Sequence, residues 1–257
     1  QDDAHIFMTE NQIESEIVNL IAFFDRMYKI FNLDYSIELS TRPEEKYIGK
    51  IEVWDKSEKA LADACKKAGK DYQINPGDGA FYGPKLDFHI KDSLGRTWQC
   101  GTIQLDMNLP ERFDITYIDE FGEKKRPVML HRVIFGSVER FIGILIEHYA
   151  GAFPLWMAPV QLNIIPVNNK YHLEYSKKLK DLLVDNNLLV ELDDREEKLG
   201  YRMRESQTNK IPNTLIIGDN EVNNNTVSYR RFGSEETNTS SLEEFIQLIK
   251  NEIDEKK

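Results

Sequence analysis

GDGAFYGPKLDFHIKDSLGRTWQCGTIQLDMNL, residues 77–109, is the stretch whose reading decides the fold class. It opens as a glycine-rich loop, enters a strand at Lys85, turns at Ser93-Leu94-Gly95 and returns as a second, longer strand. Two strand-like runs joined by a short glycine-containing turn read as an antiparallel hairpin.

Upstream, SEKALADACKKAG (57–69) reads as a helix stopped by Gly69, and YSIELST (35–41) alternates like a strand. Residues 12–31 place Ile13, Ile17, Leu20, Ile21, Phe24, Tyr28 and Phe31 on one helical stripe. QDDAHIF (1–7) alternates: Gln1, Asp3 and His5 point one way, Asp2, Ala4 and Ile6 the other. Downstream, ITYIDEFGEKKRP (115–127) holds a short strand and turn, and VMLHRVIF (128–135) reads as a buried strand. Antiparallel strands with helices set apart from them point to an α+β domain.

The segment HRVIFGSVERFIGILIEHYAGAFPLWMAP (131–159) then turns helical. Val138, Phe141, Ile142, Leu145, Ile146 and Tyr149 form an amphipathic stripe, which the spacing assigns to the core. Ser137 is a good N-cap. Arg140 falls in the first turn, where a cation opposes the helix dipole. Together with the free N–H groups of that turn it makes a site for an anion.

Composition changes after Pro159. VQLNIIPV, KYHLEYSKKLKDLLVDN, LLVELDD, EEKLGYRMRESQTNK, NTLIIGD, VSYRRF and SLEEFIQLIKNEI alternate strand and helix. That pattern predicts a second, α/β domain over 160–257, after a first domain over 1–159.

The 257 residues, 40% hydrophobic, suit one large or two medium domains. No apolar run approaches the ~20 residues of a membrane span. Cys65 and Cys100 give no disulfide framework and suit a reducing cytosol. A net charge of −11 argues against non-specific nucleic-acid binding, and DNA is not expected as a partner. A specific RNA contact needs a local basic patch. Arg195, Lys198, Arg202, Arg204, Lys210, Arg230 and Arg231 supply one in the second domain. No signal peptide is visible, and the chain opens on a dense polar motif at Gln1, so an upstream part is expected outside it.

QDDAHIF, LSTRP, GAFYGPKLDF, QCGTIQLD, the 131–159 segment and the terminal α/β domain occur in this order. Together they closely resemble threonyl-tRNA synthetases of the bacterial type over essentially the whole chain. QDDAH resembles the end of class II motif 2, and HRVIFGSVERF resembles motif 3. The resemblance implies an α+β class II synthetase catalytic core, an antiparallel sheet with flanking helices, N-terminally incomplete. An α/β anticodon-binding domain follows it. The implied activity joins L-threonine to tRNA(Thr) through a threonyl-adenylate made from ATP with Mg2+, in the cytoplasm, by a homodimer.

By the same resemblance Arg140 binds the γ-phosphate of ATP, Ser137 lies near the adenosine and Gln99 belongs to the ATP site. Gln1, Asp3, Tyr82, Lys85, Gln104 and Cys100 line the threonine and adenylate pocket, with Asp3 accepting from the threonine hydroxyl. Gln99 and Gln104 are five apart and lie on opposite faces of an ideal strand. Sharing a pocket therefore requires a bulge, for which Cys100-Gly101 is the natural place. His5 and His131 match two of three protein ligands of a zinc ion; the third, a cysteine, lies upstream and is neither Cys65 nor Cys100. Arg204, Glu221 and Arg230 match residues at the anticodon. Glu196 stands where an Asn is expected, and a carboxylate cannot donate. Asp87, His89 and Asp106 read as structural or rim residues. Motif 1 and the motif 2 arginine and acid are not in the chain, so alone it is expected to be weak or inactive in adenylate formation. A prolyl, seryl or glycyl type synthetase is one alternative, against which the histidine pair argues. A non-catalytic RNA-binding or regulatory paralogue is another.

Overall fold

The computed structural model describes residues 1–256. They form two compact units, the first Gln1–His148 and the second beginning at Tyr149. The first runs β1 (Ala4–Met8), α1 (Ile13–Ile30), β2 (Tyr35–Ser40), α2 (Ile51–Lys67), β3 (Gln73–Asn75), β4 (Lys85–Lys91), β5 (Thr97–Asp106), α3 (Leu109–Arg112), β6 (Tyr117–Ile118), β7 (Lys124–Lys125), β8 (Val128–Val133) and α4 (Val138–His148). Six strands make one sheet in the order β1-β8-β5-β4-β2-β3, antiparallel except between β2 and β3. This is the α+β core expected.

The sheet has two different faces because its strands alternate. Leu86, Phe88 and Ile90 of β4 and Ile103 and Leu105 of β5 are buried. They take one face, where Phe24 of α1 stacks on Phe88 at 4.0 Å. Buried apolar side chains such as these each contribute roughly 1.5–3 kcal/mol. The opposite face carries Lys85, Asp87, His89, Gln99, Thr102 and Gln104, and it is this face that holds the candidate site.

The β4–β5 turn is built by Asp92. Its carboxylate accepts from Leu94 N (3.0 Å), Arg96 N (2.8 Å), Arg96 Nε (2.5 Å) and Trp98 Nε1 (2.9 Å). Desolvation alone would raise its pKa; these hydrogen bonds outweigh it and hold the carboxyl at about 2. The hairpin register slips where the two glutamines required it. Phe88 faces Gly101 while His89 faces Gln99, leaving Cys100 as the bulged residue.

Two expectations change in this unit. Helix α2 starts at Ile51, six residues before the predicted start, and buries Trp54. In α4, Phe141, Ile144 and Leu145 are buried, but Val138, Ile142 and Ile146 are 45–48% exposed. The apolar arc of this helix spans roughly 200° at 100° per residue, and only one half meets the sheet-bearing body. The periodicity identified the helix correctly and overstated how much of it is core.

The second unit runs β9 (Leu162–Pro166), α5 (Asn169–Asp185), β10 (Val190–Leu192), α6 (Leu199–Thr208), β11 (Asn213–Ile217), α7 (Asp219–Asn224), β12 (Thr226–Arg231), β13 (Thr237–Ser241) and α8 (Leu242–Asp254). The sheet order is β10-β9-β11-β12-β13, parallel over the first three strands and antiparallel over the last two. Its own core includes Leu162, Ile164, Leu179, Leu215, Val227 and Phe245. Helix α7 and strand β13 are additions to the sequence reading. DNEVNN is short and polar, and TNTSS is a polar edge strand, so neither carries hydrophobic periodicity. Helix α6 begins at Leu199, which leaves Glu196 in the loop before it. Among the described residues no helix is long and apolar enough to cross a membrane.

Candidate active site

Pairing across the first sheet aligns residues that are distant in sequence. His5 faces His131, His131 faces Gln104, Gln104 faces Lys85 and Lys85 faces Ser40. Cross-strand partners point to the same face, so these five residues form one row. The next row on that face runs Val133, Thr102, Asp87, Glu38, and Gln99 follows opposite His89. The bulge at Cys100 is what returns Gln99 to this face.

The histidine rings lie 4.7 Å apart, edge to face. Nε2 of His131 is 3.0 Å from Oδ2 of Asp106. Asp106 is wholly buried, and its other oxygen accepts from Asn108 N at 2.8 Å and Leu109 N at 2.9 Å. A carboxylate fixed in this way orients an imidazole and leaves its second ring nitrogen for another partner. Asp106 is therefore no rim residue. Tyr82 lies against His131, with ring centroids 5.3 Å apart, and its hydroxyl donates to Gln104 Oε1 at 2.7 Å. Burial, reinforced by the negative charges of Asp106 and Asp3, pushes the Tyr82 phenol above its usual range. The loop before β4 is close-packed: a Cβ at Gly83 would come 2.0 Å from the Leu105 carbonyl oxygen.

Lys85 Nζ is 2.8 Å from Asp87 Oδ2 and 3.3 Å from Asp78 Oδ2. Asp87, also expected to be structural or at the rim, is buried in the centre of the polar face. It accepts from Gln99 Nε2 at 2.5 Å. Ser137 caps α4 as expected: Arg140 N donates to its Oγ (3.4 Å), and Phe141 N to its backbone oxygen (3.0 Å). The exposed Arg140 side chain reaches back to β5, where Nη1 donates to the Gln99 carbonyl at 3.2 Å and the guanidinium lies 5.6 Å from the Trp98 ring. Cys100 is buried, and burial pushes its thiol up to about 11 against the weaker pull of Arg140, so it is a packed thiol rather than a nucleophile. Gln1, Asp3 and His5 are exposed at alternate positions. Between them, Asp2 accepts from Ile134 N at 2.8 Å and Phe135 N at 3.0 Å, which ties the start of the chain to the turn before α4.

Sequence reasoning missed the roles of Asp2, Asp87, Trp98 and Asp106. One signal for the carboxylates was available: Asp87 and Asp106 each stand two residues after a pocket candidate, on the same face of the strand.

For a metal, the donor set is two facing imidazoles, one of them backed by a buried carboxylate. That fits two ligands of a zinc-type ion. Among the described residues no group of three or more His, Cys, Asp or Glu is disposed to hold a metal.

In the second unit, Glu221 accepts from Gly218 N (2.8 Å) and Ser228 Oγ (2.6 Å), and Arg230 Nη2 donates to Thr237 Oγ1 (3.1 Å). Arg204 and Glu196 are exposed. The basic cluster is smaller than the sequence suggested. Arg202 is buried and donates to the carbonyls of Asp193 and Pro166, at 2.8 and 2.7 Å. Arg195 is paired with Asp193 and Glu205, Arg231 with Glu252, and Lys210 bonds the Ala150 carbonyl. Arg195 and Arg231 thus meet carboxylates, and Arg202 and Lys210 meet backbone carbonyls.

A family model described as the class II core domain of tRNA synthetases (G, H, P, S and T) matches residues 1–149, and an anticodon-binding-domain model matches 161–252. The chain is 58% identical over 254 residues to the threonine–tRNA ligase of Fusobacterium nucleatum, covering 98% of this chain and 41% of that protein. It is 55% identical over 253 residues to that of Caldanaerobacter subterraneus, covering 98% and 39%. The chain thus spans about two-fifths of the length of the curated relatives it matches. A crystal structure described as the RNA binding domain of threonyl-tRNA synthetase from Cryptosporidium parvum superposes with a TM-score of 0.93 at 38% identity, covering 98% of this chain and 63% of that one. With a class II core model over its first 149 residues and an anticodon-binding model over residues 161–252, the chain belongs to the class II aminoacyl-tRNA synthetases.

Proposed function

We propose that the protein is a threonine–tRNA ligase. It activates L-threonine with ATP and transfers the threonyl group to tRNA(Thr), as a cytoplasmic homodimer. Residues 1–159 serve activation and residues 160–257 the anticodon. The observation that carries this reading is 54–58% identity over 98–100% of the chain to relatives that bear this name.

The geometry supports it residue by residue. Attack of the threonine carboxylate on the α-phosphate forms a new P–O bond, and pyrophosphate leaves. Arg140, solvent-facing at a helix N-terminus, offers a planar set of donors to the γ-phosphate, with Mg2+ accompanying the nucleotide. Ser137 holds that first turn in place. Gln99 lies beside Arg140 on the nucleotide side. Lys85, Gln104 and Tyr82 line the adenylate side, and Gln1 and Asp3 close the threonine end, where Asp3 accepts from the substrate hydroxyl. His5 and His131 would hold zinc together with a ligand from outside this chain. When bound, that ion supplies a Lewis-acidic centre for the amino and hydroxyl groups of threonine. Valine is nearly isosteric with threonine, and an apolar pocket separates such pairs poorly, whereas a site that must satisfy a hydroxyl rejects the analogue lacking it. In the second unit Arg204, Arg230, Glu221 and Glu196 serve the anticodon loop.

The test is threonine-dependent ATP–pyrophosphate exchange by the full-length protein, with and without a zinc chelator and with valine as competitor. Exchange that needs threonine, is lost on chelation and is not supported by valine is expected. Retained tRNA binding with no exchange would instead favour a non-catalytic RNA-binding paralogue.

A further inference from the structure

Asp87 lies in the middle of the polar sheet face with 1% of its side chain exposed. Four donors converge on it. Ser40 Oγ (2.7 Å) and Lys85 Nζ (2.8 Å) reach Oδ2, and Gln99 Nε2 (2.5 Å) and Thr102 Oγ1 (3.1 Å) reach Oδ1. An ionised carboxylate offers about four acceptor sites and no donor, so the group is saturated. That saturation dictates how its neighbours stand. Gln99 can meet an acceptor-only group only with its amide nitrogen, which also donates to Thr102 Oγ1 at 3.1 Å. Both amide hydrogens are thereby directed inward, and the amide oxygen is the one polar atom of Gln99 left for a ligand. Lys85 is held on the same face by the same carboxylate.

We propose that Asp87 is a positioning residue for adenylate formation: it sets Gln99 as a hydrogen-bond acceptor for an O–H or N–H group of the nucleotide and fixes the ammonium of Lys85 beside it. The inference rests on the ligase reading and adds a residue that never touches substrate.

Asp87→Asn keeps the shape and replaces one acceptor oxygen by a donor, so Gln99 and Lys85 lose their common partner. In the full-length protein this variant is expected to lower kcat/KM for ATP in the exchange reaction by about tenfold or more, with the KM for ATP raised. In a Gln99→Met, Lys85→Met background the same substitution should change kcat/KM by less than about twofold, because both residues it acts through are gone. Ser40→Ala removes a donor that is given no contact with substrate, and should lower the melting temperature with a smaller effect on kcat/KM than Asp87→Asn. Should Asp87→Asn not fold, Asp87→Glu replaces it: the displaced carboxylate raises the KM for ATP if the inference holds and leaves it unchanged if it does not. A single variant with wild-type kcat/KM, or full additivity with the Gln99 and Lys85 substitutions, overturns the inference while leaving the ligase reading intact. A wild-type protein without threonine-dependent exchange overturns both.

Discussion

Arg140 occupies a position that helix electrostatics disfavours, in the first turn of α4, and it is solvent-facing with its guanidinium against Trp98 and the Gln99 carbonyl. An exposed guanidinium in the first turn of a helix is suited to a ligand with negative charge, the role proposed for it above. Arg140→Lys keeps the charge and loses the planar fork. It is expected to reduce threonine-dependent exchange by about 10²–10³-fold without altering the melting temperature. The second unit offers the opposite contrast between two arginines one helical half-turn apart. Arg202→Ala removes the donor from the buried Pro166 carbonyl and the half-buried Asp193 carbonyl, costs about 1–3 kcal/mol, and should be seen in thermal unfolding. Arg204→Ala, on the exposed side of α6, should leave stability unchanged. It should weaken tRNA binding and reduce the salt dependence of log K by about one phosphate contact.

At the scale of elements, the β4–β5 hairpin does two tasks. Its bulge brings Gln99 and Gln104 onto one face, and its turn anchors Trp98 beside Arg140. The bulge depends on Gly101, where a Cβ would meet Phe24 Cε1 at 2.3 Å and Tyr28 Oη at 2.6 Å. Gly101→Ala is expected to destabilise the first unit by about 1–3 kcal/mol, measurable by denaturant unfolding. The turn has a pH signature. Asp92 titrates at about 2, below the carboxylate value of 3.8. The folded state therefore binds this proton more weakly than the unfolded chain. Its stabilisation is complete above about pH 4 and is lost as pH falls through the folded value. An NMR titration of the Asp92 carboxyl should show this low midpoint, and Asp92→Asn should abolish that part of the acid sensitivity. Helix α4 shows the limit of periodicity: 138, 142 and 146 satisfy the stripe as well as 141 and 145 do, and only packing separates them.

The whole molecule is two units, each with its own sheet and core. A fragment beginning at Tyr149 carries a complete five-stranded sheet and the apolar cluster beneath it. It is expected to unfold cooperatively by itself, with circular dichroism following a single thermal transition; a non-cooperative melt would show that its stability depends on the first unit. In the first unit the site is a property of the sheet as a whole. The row His5, His131, Gln104, Lys85 joins residues from four strands spread over more than a hundred positions of the chain. Register determines this row, because a slip of one residue in any of these strands would send its member to the apolar side.

The amino-acid sequence by itself determined the elements that carry hydrophobic periodicity, since apolar spacing is a local property: helix α1, the hairpin, the capped α4 with Arg140 in its first turn, and most of the alternating second domain. It also required the bulge, because two glutamines five apart cannot otherwise share a face. Tertiary structure alone decided which neighbours each charge meets. Asp87 and Asp106 became buried hubs, and Arg202 and Arg231 were committed to intramolecular partners, because Ser40 and Gln99 reach Asp87, His131 reaches Asp106, the Pro166 carbonyl meets Arg202 and Glu252 meets Arg231 from other strands and helices. It also decided which half of the α4 apolar arc is core. Burial and pairing depend on contacts between segments remote in the chain, and no local pattern of residues encodes which of those contacts will form.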